Sequence, residues 1–456
     1  MRMIRSTFFL ASVFAGRAHS QDEGITTNLS NGIIFPFVGL GIGNLQHELI
    51  DDVVRSSLQA DLDIRLIDTA HASRNEGILA NAIVSSDKAR SISRQTRGGT
   101  ETLPPIHVVS KVWYTHLGYE RTKISVREIL EELGSVSTRQ VYVHLLIHWP
   151  RCRDDIEWMN CAEEESNLPQ HVRDTGPPPH LNKDEAWKGS WAALEDFYTE
   201  FSSQREESLK KLLPPIIASI GVSNFDINDM KSLLEVAKIK PHIYQGDIWL
   251  AFHDPLLFRY IRDNHIFFQA YGVMNRIIQR RDESPSAFSI LSDIAREVAS
   301  TMHASGQYEE KSLIVTEATI VLAFCVQYGI GVIPRASSQD HRHENSPSVI
   351  AAVIPYVTSG HFNQLQLAVP AIMKGEDLHA SISFMNSLLV PIQIHWIHAE
   401  TGQEILVKDI IHPGSVEVIQ SHPGHRFVAY DTEREVRREV AVDVGYGQRQ
   451  HFTVEL

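Results

Sequence analysis

Seven β-strands read from the first three quarters of the chain each end in a polar residue, and this recurrence constrains the fold more than any other feature. They run Ile64–Ile67 to Asp68, Ile106–Val109 to Lys111, Val141–Ile147 to His148, Ile216–Val222 to Ser223 and Asn224, His242–Tyr244 to Gln245, Ile266–Phe268 to Tyr271, and Gly331–Ile333 to Arg335. Between and after them lie stretches with apolar residues at helical spacing: 75–84, 121–133, 187–201, 228–236, 255–263, 286–300 and 316–328. Such a strand–helix repeat builds a parallel sheet. Closed into a (β/α)8 TIM barrel, the sheet gathers the C-terminal ends of its strands around one mouth, where barrels of this kind carry their sites. Two insertions interrupt the repeat, 150–186 with its Gly176-Pro177-Pro178-Pro179 break and the polar 301–314. The first follows the strand that carries His148, so it is expected over the mouth, shaping a substrate pocket.

The chain has 456 residues, more than the ~250 of one barrel, so a second domain is expected. Its 42 basic and 56 acidic side chains leave a net charge of -14, which disfavours a general nucleic-acid binder. Residues 1–20 read as a secretory signal peptide: a basic start, the apolar run Phe8–Ala15 and small residues at Ala18 and Ser20. That run falls short of the ~20 residues that span a bilayer. A soluble chain in the secretory pathway, in the endoplasmic reticulum lumen or outside the cell, is therefore expected. Cys152 and Cys161 share one polar loop and could pair in an oxidising lumen, leaving Cys325 in an apolar stretch. No metal site is expected among the 23 histidines, since His341, Arg342 and His343 form no ligand set with a carboxylate shell.

Six segments lie in the order and approximate spacing of one known family. They are Gly39-Leu40-Gly41, Leu66-Ile67-Asp68-Thr69-Ala70 with Asn75-Glu76, Val109-Ser110-Lys111-Val112-Trp113, Leu146-Ile147-His148-Trp149-Pro150, Ile220–Phe225 and Val332-Ile333-Pro334-Arg335. Over residues 32–350 the chain resembles the aldo-keto reductases. The resemblance implies a barrel that binds NADPH in an extended pose and transfers hydride to a small-molecule aldehyde or ketone. It further implies that Asp68, Lys111 and His148 form the catalytic trio beside the family's tyrosine acid, whose position here is Ser73. A serine hydroxyl is a weaker acid than a phenol of pKa ~10, and its side chain is shorter. His148, or a water held by Ser73 and Lys111, could carry the proton instead. For the cofactor the resemblance implies Ser223, Asn224 and Gln245 at the nicotinamide carboxamide, Tyr271 stacked on the ring, and Gly41 where backbone approaches. Arg335 stands for the usual lysine at the 2'-phosphate, His341 for an arginine with Arg342 adjacent, and Glu344 and Asn345 match the adenine end. Trp113, Trp149 and Trp158 are the expected pocket aromatics.

Beyond a connecting segment at 351–379, with one helix expected near Gln366–Lys374, the pattern becomes short alternating strands separated by turn signals. Residues 380–456 read as a small β-sandwich. Phe384-Met385-Asn386, Pro391–Trp396, Pro413-Gly414 and Ser421–Phe427 resemble the β domain of the von Hippel-Lindau protein over about 380–432. That resemblance implies recognition of a hydroxyproline peptide by Ser421 and His425. Phe427 stands where that family has tryptophan, and His422-Pro423 where it has tyrosine and arginine. Two functions follow as expectations: an NADPH-dependent carbonyl reductase, weakened by Ser73, or a non-catalytic cofactor-binding barrel that carries a peptide-binding domain.

Overall fold

The computed structural model describes residues 25–59, 62, 64–95, 103–203, 215–306, 315–399, 401–431 and 436–455; the apolar N-terminal stretch expected as a signal peptide lies outside them. The chain divides into two compact units, one made of the chain up to Gln279 with Ser292–Phe362, the other of Arg280–Leu291 with Asn363–Leu456. No helix among the described residues is long and apolar enough to cross a membrane.

The first unit opens with a hairpin of β1 (Thr26–Asn28) and β2 (Ile34–Pro36). Eight parallel strands follow in sequential order: β3 (Leu40–Gly41), β4 (Leu66–Asp68), β5 (Ile106–Val112), β6 (Val141–Ile147), β7 (Ile216–Ser223), β8 (Ile243–Asp247), β9 (Phe267–Tyr271) and β10 (Gly331–Val332). The first and last meet, because the Val332 amide donates to Phe37 O at 2.7 Å and the Gly39 amide to Val332 O at 2.9 Å. This is the parallel arrangement the sequence implies. β3 is the strand that periodicity does not reveal, since two residues carry no pattern. At Gly39 an added Cβ would lie 2.7 Å from the Leu66 side chain and 2.9 Å from Leu66 O, so the strand packs only as glycine.

Side chains two residues apart share a strand face, and this places the site. Leu66, Val109, Leu146 and Ile243 join Leu29, Ile33 and Phe35 of the hairpin region in one buried apolar cluster. Two residues further along the same strands stand Asp68, Lys111, His148 and Gln245. Two residues before Val109 and Leu146 are His107 and His144, paired Nδ1 to Nε2 at 3.0 Å, with His144 Nδ1 2.7 Å from Ser219 Oγ. A neutral histidine ladder is thus sealed against Phe35, 4.8 Å from the His144 ring.

Burial, then Arg65, lowers the pKa of His107 to about 3; burial also lowers His116 to about 3 and His242 to about 4, and takes His144 well below its ordinary value. In the unfolded chain these rings titrate near ~6.5. Above that value both states are neutral and the histidines contribute no pH dependence. Below it the unfolded chain binds protons that the folded chain refuses, so stability falls until about pH 3. Thermal unfolding followed against pH is expected to show Tm declining already between about pH 6.5 and 5, above the carboxylate range. A Tm flat across that interval would contradict buried neutral rings.

The second unit contains a three-stranded and a four-stranded sheet. β11 (Ala380–Asn386) lies between β14 (Val416–Ser421), antiparallel, and β17 (Arg449–Val454), parallel. In the other, β12 (Ile392–Ile397) pairs antiparallel with β13 (Glu404–Ile411) and β15 (Arg426–Asp431), and β15 with β16 (Arg437–Ala441). Ile382 and Phe384 of the first sheet form one apolar cluster with Ile392, Ile394, Phe427 and Ala429 of the second. Buried Asn386 fixes the connection by donating to Val390 O at 2.9 Å and Ile411 O at 2.8 Å, while its Oδ1 accepts from the Leu388 amide. The helix expected from Gln366 begins at Ser359 and continues through Pro370 to Lys374, and a further helix occupies Pro347–Val353. Proline restrains a sequence reading of the first, although its missing N–H need not end a helix that tertiary packing holds.

Candidate active site

Asp68 and Lys111 sit at or near strand ends at the mouth. Lys111 near the end of β5 donates to Asp68 at the end of β4, at 2.8 Å to Oδ1 and 2.9 Å to Oδ2, and to Thr69 O at 2.6 Å. Both side chains are nearly buried, so the pair is held by geometry and by added hydrogen bonds. Gln245 supplies one of these, its Nε2 donating to Asp68 Oδ2 at 2.6 Å and to Gln269 Oε1 at 2.8 Å. Thr69 in turn bonds Asn75, and Ser110 donates to Glu76 at 2.7 Å, which fixes the two strand ends from the helix that follows β4.

His148 follows β6. Burial, with Lys111 nearby, lowers its pKa well below the ordinary value, so the ring is neutral. Its Nδ1 is buried without a hydrogen-bond partner among the described residues. An unsatisfied buried donor costs more than an unused lone pair, which favours the tautomer with the proton on Nε2. Asn224 stands at φ 60°, a left-handed backbone that asparagine tolerates, and donates from Nδ2 to His148 O at 3.0 Å. Tyr271 OH donates to Asn224 Oδ1 at 2.7 Å.

These groups line a cavity of about 730 Å³. Gly41, Asp68, Ser73, Lys111, His148, Asn224, Gln245, Tyr271, Arg335, His341, Glu344 and Asn345 all border it. Ser223 is not among the lining residues; it is fully buried, with its hydroxyl unpartnered among the described residues. Arg342, adjacent to His341, is buried away from the lining and donates to Ser337 O at 2.5 Å, so it does not stand in for the arginine expected at His341. At Gly41 an added Cβ would lie 3.1 Å from Ile333 O, a tight approach that favours the glycine there.

Ser73 lies in the short turn His71–Ser73, and its Oγ is 3.4 Å from where a Cβ on Gly43 would stand. The Lys111 ammonium spends its bonds on Asp68 and Thr69 O. His71 does not compensate, since its Nε2 is 2.6 Å from Glu128 Oε2 and the residue does not line the cavity.

Part of the wall comes from the insertion after β6. Trp113, Trp149 and Trp158 line the cavity as expected. Glu164 of the insertion accepts from Trp113 Nε1 at 2.7 Å and from Tyr114 OH. Arg121 grips Glu165 with two hydrogen bonds of 2.8 and 2.9 Å, and a disulfide joins Cys152 to Cys161. Sequence reasoning did not single out Glu164, Glu165, Asn44, Asn275 or Gln279. The two glutamates sit in an acidic run that reads as solvated; Asn44 lies in a turn, and Asn275 and Gln279 lie in short helical segments without a motif.

A parallel barrel with an ion pair and a neutral imidazole gathered at its mouth is a barrel enzyme. The sequence profile of the Aldo/keto reductase family matches residues 43–354, more than half of the chain, and the chain belongs to that family. Its kind is thus an oxidoreductase. Among curated relatives, an uncharacterized oxidoreductase, YtbE, of Bacillus subtilis is 27% identical over 70% of this chain and 85% of its own. A glyoxal reductase of the same organism is 27% identical over 70% of this chain and 84% of its own. The solved aldose reductase of Schistosoma japonicum superposes with a TM-score of 0.51 at 19% identity, over 77% of this chain and 96% of its own, which speaks to the fold alone.

Proposed function

We propose that the chain reduces an aldehyde or ketone by hydride transfer from NADPH. The observation that carries this reading is the buried Asp68–Lys111 pair beside neutral His148 at the barrel mouth.

The residues present fit a dinucleotide. Asn345 Oδ1, in the cavity lining beside Glu344, is a buried polar atom without a partner among the described residues. Asn224 and Gln245, which line the cavity, would hold the carboxamide and Tyr271 the ring, with Gly41 beside it and Ser223 buried behind them. Arg335, His341, Glu344 and Asn345 would take the adenosine end. When bound, the cofactor supplies the hydride. Arg335 is exposed and makes one long hydrogen bond among the described residues, to Asn44 O at 3.4 Å, so its guanidinium is available for a 2'-phosphate. Arg335→Ala is expected to weaken NADPH binding about tenfold with little change for NADH; equal losses for both would remove the preference for NADPH.

At the substrate, the Lys111 ammonium stabilises negative charge developing on the carbonyl oxygen. The Nε2–H of His148 donates to that oxygen. Ser73, short of the oxygen, positions a water that relays the proton. Steady-state loss of NADPH absorbance with aldehydes tests the reading, and no turnover with any carbonyl at saturating NADPH would sink it.

A second reading concerns the C-terminal unit, which we take as a β-sandwich that recognises a hydroxyproline peptide. It is favoured by Ser421 Oγ, 3.0 Å from His425 Nδ1, with the Trp396 ring 5.4 Å from that of His425 and its indole N–H buried without a partner among the described residues. Comparing hydroxyproline and proline peptides on the full chain, with Ser421→Ala as control, tests it; equal affinities for both peptides would exclude it. The disulfide accords with a secretory compartment, which N-terminal sequencing of the secreted chain would test by a start at Gln21.

A further inference from the structure

Trp158 lies between the two bridged cysteines, inside the ring closed by Cys152–Cys161. Both cysteines and the neighbouring Met159 are buried, yet Trp158 is 58% exposed and borders the cavity. Its indole stacks on Trp113 with centroids 6.2 Å apart and meets Trp149 edge-on at 5.9 Å. Trp113 follows β5 and Trp149 follows β6, so three separate segments bring their indoles together. The ring cannot withdraw readily. Met159 anchors the next position, where its Sδ accepts from the Arg153 amide, and Glu164 beyond the second cysteine is tied to Trp113. An exposed indole held over a cavity by a covalent ring is apolar surface waiting for a flat partner.

We propose that the Cys152–Cys161 ring presents Trp158 as a specificity-determining wall, selecting aryl carbonyl compounds. The proposal rests on the reductase reading for its substrate class. It commits to a planar aromatic ring, which covers indole faces with offset or edge-on contacts. The bridge contributes by keeping Trp158 at the wall when no ligand is there, so that binding orders little additional chain.

The test is calorimetric titration of the full chain with 4-nitrobenzyl alcohol, a product-type probe that forms no imines with lysines, and with D-xylose. Wild type, Trp158→Ala, Trp158→Phe and the double variant Cys152→Ser with Cys161→Ser are compared after circular dichroism confirms folding. The aryl probe is expected to bind wild type more tightly than the sugar does. Its affinity should fall about tenfold in Trp158→Ala, recover to within a factor of about three in Trp158→Phe, and fall in the double variant. Unchanged aryl affinity in Trp158→Ala, tighter binding of D-xylose, or no aryl binding by wild type would each overturn the proposal. Unchanged affinity in the double variant would overturn the part assigned to the bridge. Because this titration needs no turnover, a chain that binds the aryl probe through Trp158 but oxidises no NADPH would overturn the reductase reading and leave the binding wall standing.

Discussion

Ser73→Tyr is expected to raise the turnover of carbonyl substrates by about a hundredfold, with little change in the KM of NADPH, because a positioned general acid contributes ~10² to 10⁴ in rate. Ser73 borders the cavity, and the neighbouring Gly43 has no side chain to obstruct a longer one. A phenol there would extend toward the Lys111 ammonium and its positive charge would favour proton release. In the wild type, neutral His148 and a water share that task. Since His148 has its pKa lowered well below the ordinary value by burial and by Lys111, its ring stays neutral at and above the pH where a free histidine titrates. Wild-type turnover is therefore expected to be flat through pH 6.5, the ordinary histidine value. Steady-state kinetics against pH check both points. A variant no faster than wild type would mean that His148 already delivers the whole proton transfer.

Lys111→Met is expected to abolish measurable reduction and to destabilise the barrel by about 3–5 kcal/mol, the usual cost of stranding one member of a buried ion pair. Asp68 would keep the Gln245 hydrogen bond but lose both contacts of the ammonium. Pairing the change with Asp68→Asn separates the two effects. The double variant should regain much of the lost thermal stability and none of the activity, because the positive charge at the carbonyl oxygen is still missing. Thermal unfolding and NADPH oxidation on the same samples give the comparison. Activity restored in the double variant would show that the ammonium acts only structurally.

Much of this site was legible because strand ends announce themselves. Asp68, Lys111, His148 and Gln245 are polar residues closing apolar runs, and period two along each strand puts them in one layer above Leu66, Val109, Leu146 and Ile243. Proximity between segments was not legible. Nothing in the chain near Arg121 indicates that Glu165, 44 residues on, closes on it, and nothing near Trp113 indicates Glu164. Likewise β3 is too short for a pattern, and the helix His47–Ser57 lies before the first strand that the periodicity marks. Ser223 reads as a pocket residue because alternation gives its face but not its depth, and it is fully buried. At Arg342 the sequence offers a cation beside His341, whereas helical geometry turns it inward to Ser337 O.

The most direct measurement mixes the full chain with NADPH deuterated at both positions of nicotinamide C4 and an aryl aldehyde, then weighs the alcohol by mass spectrometry. One deuterium per alcohol molecule, lost when Lys111 is replaced by methionine, is the expected result for hydride transfer at this mouth. Alcohol without deuterium, or no alcohol from a chain that demonstrably binds NADPH, would contradict it.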